Sequence, residues 1–254
     1  MDILLTLSVR YRSGDHSDLH RLGVVLLSAE KHWRGRGSFH IITPDDDEVR
    51  AEVARLSLDV PVVVHTDEAV LPGVPDALHP WWKQQLLKLA AAKTTVASDF
   101  YLVLDADCFF TRETSDSDLV LDGRGRYSYG TGNGYSKKSW YRGCAKLGLP
   151  TPERFVNTTP FVFNTRLAQD AFAFVQKAPE SIGILGWSEY TLYHSLAVRN
   201  GLWDAHHVEA KPLIDNAVWT PQELLTWDAS ACEGPLCLVQ SSVGVFPQEV
   251  LTLM

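Results

Sequence analysis

The sequence has no apolar run approaching the eighteen or so residues that a membrane-spanning helix needs, so no span is expected. Cysteine is scarce. Cys108, Cys144, Cys232 and Cys237 are the only four in 254 residues, too few for a disulfide framework at this length. Cys232 and Cys237 are spaced C-x4-C, with no second pair to complete a zinc site. The four read as free thiols of a cytoplasmic protein. An excess of positive charge is also missing. Lysine and arginine number 23 against 31 acids, and a net charge of -8 argues against general nucleic-acid binding, which needs a basic surface. A phosphorylated small molecule stays compatible, because a bound cation neutralises phosphate locally. The opening "MDILLTLSVR" carries an acid at position 2 and reaches Arg10 before a long apolar core forms, so it does not read as a secretory leader. Repeats, linkers and low-complexity stretches are lacking, which leaves one domain.

What is present is alternation. Ile3–Val9 is an apolar, β-rich run. Ser17 can cap a helix from Asp18 to about Trp33, with Leu19, Leu22, Leu26 and Ala29 in one stripe. "SFHIIT" is a second strand. "PDDDEVRAEVARL" opens on proline and acids, as helix N-termini prefer, and sets Val49, Val53 and Leu56 on one face. "VPVVVH" is a third strand, "HPWWKQQLLKLAAAK" a helix with Trp82, Leu86 and Leu89 inward, and "FYLVLDAD" a fourth strand. This order predicts an α/β fold with a mainly parallel sheet flanked by helices. Beyond Asp107 the pattern loosens. "DGRGRYSYGTGNGYSKKSWYRG" reads as loop with a hairpin. "TPFVFN" is a strand, Arg166 to Ala178 a helix, "WSEYTLYHSLAVRNG" a helix ended by Gly201, "TPQELLTW" a capped helix start, and "PLCLVQS" a late strand.

The chemistry sits in "FYLVLDADCFF". Asp105 and Asp107 end a run of buried-strand character, and a buried carboxylate is costly unless paired or metal-bound. Two residues apart on a strand, they point the same way. They either cap a turn or hold a divalent cation. Carboxylate oxygens suit Mg²⁺ or Mn²⁺, and ligands of open α/β sheets bind at the carboxyl ends of the strands.

At this point the chain resembles the GT-A fold of nucleotide-sugar glycosyltransferases, and most closely the glycogenin-like and lipopolysaccharide glycosyltransferases. "LLKLAAAKTTVASDFYLVLDAD" looks like their helix–loop–strand unit leading to the D-x-D motif. The resemblance implies that Asp105 and Asp107 hold the metal, with Asp105 also near the donor, and that Lys88 contacts the donor. "NTTPFVFN" resembles the family's "N-S-G-V" strand and gives Asn157 a place at the donor sugar, although Pro160 stands where the family has a small apolar residue. Glu189, opening "EYTLY", takes the place of an acidic residue at a helix start. There it would be the general base of an inverting enzyme, or hold the donor sugar in a retaining one. "VQSSVGVFP" resembles the late strand that supplies a metal-binding histidine, but Gln240 stands in that place, followed by Gly244 and Pro247. His206 and His207 are rivals for this third ligand. "W-x-Q-Q-x-x-K-L", from Trp82 to Leu89, also looks like a motif of uncharacterised bacterial and viral GT-A-type proteins, which adds Gln85 to the donor-binding set. By topology Ser8, Arg10 and Asp67, at the ends of the first and third strands, should border the nucleobase and ribose.

The resemblance thus implies a single GT-A domain, with a nucleotide-sugar half (1–110) and an acceptor half (111–254). It implies a metal-dependent transfer of sugar, hexose or pentose, from a nucleotide diphosphate sugar to a glycan or other hydroxyl acceptor. A UDP-sugar is favoured and a GDP-sugar is an alternative. The region 111–155 matches no motif and is expected to serve the acceptor. Two other readings compete. Haloacid-dehalogenase-type phosphatases also use D-x-D after an apolar strand, but Phe109 stands where they carry Thr or Val, and a later acidic pair is missing. A non-catalytic nucleotide- or glycan-binding module is the other.

Overall fold

Short apolar runs separated by amphipathic segments fold here as strands and covering helices. The computed structural model describes residues 1–8, 17–74, 78–130, 135–228 and 231–240. Arg10, Gly244 and Pro247 lie outside the described residues. The first half runs β1 (Asp2–Thr6), α1 (Ser17–His32), β2 (Phe39–Thr43), α2 (Asp46–Leu56), β3 (Val62–Thr66), α3 (Asp67–Val70), α4 (Pro80–Thr94) and β4 (Phe100–Leu104). Next come β5 (Cys108–Phe110), α5 (Asp116–Leu119), β6 (Val120–Leu121), β7 (Arg124–Tyr127), α6 (Tyr135–Lys146), β8 (Phe161–Asn164) and α7 (Thr165–Gln176). The chain continues through α8 (Glu189–Arg199), α9 (Trp203–His206), β9 (His207–Glu209), β10 (Ile214–Val218), α10 (Pro221–Thr226) and β11 (Leu236–Val239).

The central sheet has the order β3-β2-β1-β4-β8. The first four strands run parallel, and β8 pairs antiparallel with β4. The sheet is therefore mixed, which corrects the expectation of a mainly parallel one. The hidden cause is the route of the chain. After β4 it leaves through α5 to α6 and returns to the free edge from the opposite end. Two small sheets flank the centre, β10-β11-β5 and β6-β7-β9, and each mixes parallel and antiparallel pairs.

Successive strand residues face opposite sides. Leu4, Tyr101, Val103 and Phe163 pack with α4, α7 and α8, while Ile3, Leu5, Leu102 and Leu104 pack with α1 and α2. Both faces of the sheet are covered, as strands without polar alternation require. In the expected α1 stripe, Leu22, Leu26 and Ala29 are buried and Leu19 packs at its margin. The region read as loop and hairpin holds the turn and the second strand of the β6–β7 hairpin, whose first strand precedes it, but it also contains most of α6. All four cysteines are buried free thiols.

Candidate functional site

Strand order 3-2-1-4 makes β1 and β4 neighbours whose connections leave in opposite directions, the position where α/β sheets open a crevice at their carboxyl ends. A cavity of about 500 Å³ lies there. Thr6 of β1 and Leu7 and Ser8 just beyond it line it, with Asp67 at the start of α3 and Asp105 to Asp107 following β4; Leu238 of β11 and Gln240 just past that strand also reach it. β5 pairs with β11, and the Val239 amide donates to the Asp107 carbonyl at 2.9 Å, so the late strand is tied beside the aspartates. Five residues singled out in the sequence thus share one cavity: Ser8, Asp67, Asp105, Asp107 and Gln240.

Lys88, Gln85 and Glu189 lie beneath it. Lys88 is 2% exposed. Its Nζ donates to Asp105 Oδ1 at 2.8 Å and to the Tyr190 hydroxyl at 3.3 Å, and stands 2.9 Å from Glu189 Oε1. Burial opposes charge on Lys88, but Asp105, Glu189 and Tyr190 outweigh it and hold its pKa well above the ordinary lysine value. Glu189 is 0% exposed. Burial raises its pKa and Lys88 draws it part of the way back. A capping box at Ser188 starts α8 and fixes Glu189 as its first residue, while the Glu189 amide donates to Gln85 Oε1 at 3.2 Å. Gln85 and Lys88 therefore lock α4 to α8 through both the backbone and the carboxylate of Glu189. Glu189 is not among the described lining residues of this cavity or of the one beside it. Its position suits holding Lys88 against Asp105.

Asn157 lines a second cavity, of about 760 Å³, that meets the first at Thr159, Leu238 and Gln240. His207 is a core residue and not a rival ligand. Its Nδ1 bonds the Gly125 carbonyl at 3.1 Å, its Nε2 the Tyr193 hydroxyl at 2.6 Å, and burial pushes its pKa down to about 3. His206 lines neither cavity.

Sequence reasoning missed three charged neighbours of the site. Arg21 on α1 is buried behind Asp107, donating to the Val239 carbonyl at 3.2 Å. Burial lowers its pKa, and the charges of Asp107 and Asp18 oppose that. The available signal was spacing: Arg21 follows Asp18 by three and precedes Val25 by four, a helix face that turns inward. Lys83 pairs with Asp67, and Asp18 lines the cavity. Asp105, Asp107 and Gln240 offer hard carboxylate and amide oxygens on one wall. Mg²⁺ and Mn²⁺ take such a set when substrate phosphates complete the shell. Among the described residues, no three His, Cys, Asp or Glu side chains converge on a metal position.

This arrangement defines an α/β protein with a mixed, helix-flanked sheet, similar in fold to GT-A glycosyltransferases. Mouse xyloside xylosyltransferase 1 in its apo form superposes with a TM-score of 0.57 at 12% identity, over 96% of this chain and 100% of that one. An active-site mutant of LgtC superposes at 0.56 and 14% identity, over 100% of this chain and 95% of that one. At these identities the likeness is one of fold. No curated protein sequence matches the chain. The chain belongs to a family of unknown function, DUF6492, whose model matches residues 1–254.

Proposed function

We propose that this protein is a metal-dependent glycosyltransferase that moves a sugar from a nucleotide diphosphate sugar to an acceptor hydroxyl. The observation that carries the reading is the cavity at the β1–β4 crevice with Asp105 and Asp107 on its wall, in a fold similar to that of sugar transferases. Asp18, Asp67, Asp105 and Asp107 all line that cavity. A diphosphate entering it would meet repulsion that a bound cation removes. Asp107, Asp105 and Gln240 are the residues that would hold Mn²⁺ or Mg²⁺. When bound, such a cation stabilises the negative charge that develops on a departing diphosphate.

The chain's own residues have separable roles. Lys88 fixes the rotamer of Asp105 through the 2.8 Å bond and adds positive charge behind the diphosphate position. Glu189 and Gln85 keep Lys88 in place and have no direct contact with either substrate. Ser8 and Asp67, at the far strand ends, border the nucleoside. Asn157 and Gln240 line the second cavity, which on this reading receives the acceptor.

A thermal-shift screen of UDP- and GDP-sugars, with and without Mn²⁺, tests the reading. A donor at a hundred times its dissociation constant adds about 2.7 kcal/mol of stability. The expected result is a shift for one nucleotide class that requires the cation and disappears in Asp107→Asn. Release of free phosphate from a simple phosphate ester, without any nucleotide-sugar shift, would overturn it in favour of a phosphatase.

A further inference from the structure

The two cavities differ in charge. Four aspartates line the first. The second has two cations, Arg126 and Lys137, and no carboxylate among its described lining residues. Arg126 is already engaged by backbone, donating to the carbonyls of Asp118 (2.8 Å) and Lys211. Lys137 is different. Its Nζ donates to the amide oxygen of Asn157 at 3.0 Å, and among the described residues it has no acidic partner. Asn157 is itself held by its Nδ2 donating to Ser128 Oγ at 2.8 Å, so it presents a fixed oxygen to the lysine. Gly130 makes room for the pair. A Cβ there would stand 2.6 Å from Lys137 Nζ and 2.9 Å from Asn157 Oδ1. Burial draws the Lys137 pKa downward. A half-buried ammonium bonded to one neutral oxygen has donors left over for an anion. At the same cavity Trp219 is 56% exposed, a large aromatic face presented to solvent. Such a face suits the apolar side of a sugar ring.

We infer that the second cavity takes a carbohydrate acceptor bearing a carboxylate, phosphate or sulfate, with Lys137 contacting the anion and Trp219 the ring. This inference rests on the glycosyltransferase reading for calling the ligand an acceptor, but the binding it describes does not. The anion neutralises Lys137, and the junction at Thr159, Leu238 and Gln240 leads a neighbouring hydroxyl towards the first cavity.

The test uses matched pairs of small pyranosides, methyl glucuronide against methyl glucoside and glucose 6-phosphate against glucose. Saturation-transfer NMR titrations on the full chain give the affinities. The anionic member of at least one pair should bind about tenfold tighter, the effect of one charged hydrogen bond. That preference should vanish in Lys137→Met and persist in Lys137→Arg, while Trp219→Ala should weaken the binding of both members of a pair alike. The thermal shift with nucleotide-sugar and Mn²⁺ monitors folding and the donor cavity in parallel, since Lys137 does not line that cavity. Equal affinity within every pair, no binding of any pyranoside, or a preference that survives Lys137→Met would overturn the inference. A Lys137-dependent preference without any donor shift would keep the anionic carbohydrate site and remove the glycosyltransferase reading instead.

Discussion

At the residue scale, the Lys88–Glu189 pair carries an energetic consequence. Both partners are fully enclosed, 2.9 Å apart, and removing one leaves the other as an uncompensated buried charge. Lys88→Met should therefore cost about 3–5 kcal/mol in urea denaturation, the range for breaking a buried ion pair. Adding Glu189→Gln should recover a good part of that loss, because neither buried charge then remains; Asp105, at the cavity edge, can be solvated. Additive losses in the double variant would show that the pair is not coupled. The sequence announced half of this cluster. Two aspartates in an apolar run are conspicuous, and so is a lysine upstream of them once the D-x-D pattern is seen. The burial of Lys88 was not legible. "LLKLAAAK" reads as well with its lysine in water as under a sheet, and what seals it is α8, some hundred residues later in the chain.

At the element scale, α6, α8 and β9 form a seam of buried tyrosines and histidines. Tyr141 of α6 bonds His194 Nδ1 of α8 at 2.6 Å, and Tyr193 of α8 bonds His207 Nε2 of β9 at 2.6 Å. Burial pushes His194 down to about 4 and His207 to about 3, against 6.5 when free. Between pH 6.5 and about 4 the unfolded chain binds two protons that the folded chain refuses. Protons bound are more numerous in the unfolded state, so stability falls as pH falls. Each histidine contributes a slope of roughly 1.4 kcal/mol per pH unit across that window. Urea melts at pH 7, 6 and 5 should show this slope, and His194→Gln should reduce it by roughly the 1.4 kcal/mol per pH unit that one histidine contributes. An unchanged slope in that variant would place the acid sensitivity elsewhere. α6 itself was hidden in the sequence. "YSKKSWYRGCAK" has a weak apolar stripe, with Tyr141, Gly143 and Cys144 buried among its described residues, and glycines before it resemble a loop. The first four strands and their helices were legible because their apolar runs are unbroken by polar residues, the mark of strands covered on both faces.

At the scale of the whole molecule, the site depends on how distant segments meet. Parallel β1 to β4 could be anticipated from alternation. The antiparallel return of β8 and the pairing of β5 with β11 could not, since short strands leave no sign of their partners. Yet β5–β11 pairing is what carries Gln240 to the wall shared by both cavities, next to Asp107. If that wall holds the cation, the ligand at position 240 sets how tightly. An amide oxygen is a weaker ligand for Mn²⁺ than an imidazole nitrogen. Gln240→His should therefore lower the Mn²⁺ concentration needed for the nucleotide-sugar thermal shift, on the order of tenfold. Gln240→Ala should raise it. Titrating Mn²⁺ at fixed donor against the three proteins reads this directly. Three superimposable curves would mean that Gln240 only shapes the junction between the cavities, and that Asp105 and Asp107 hold the cation without it.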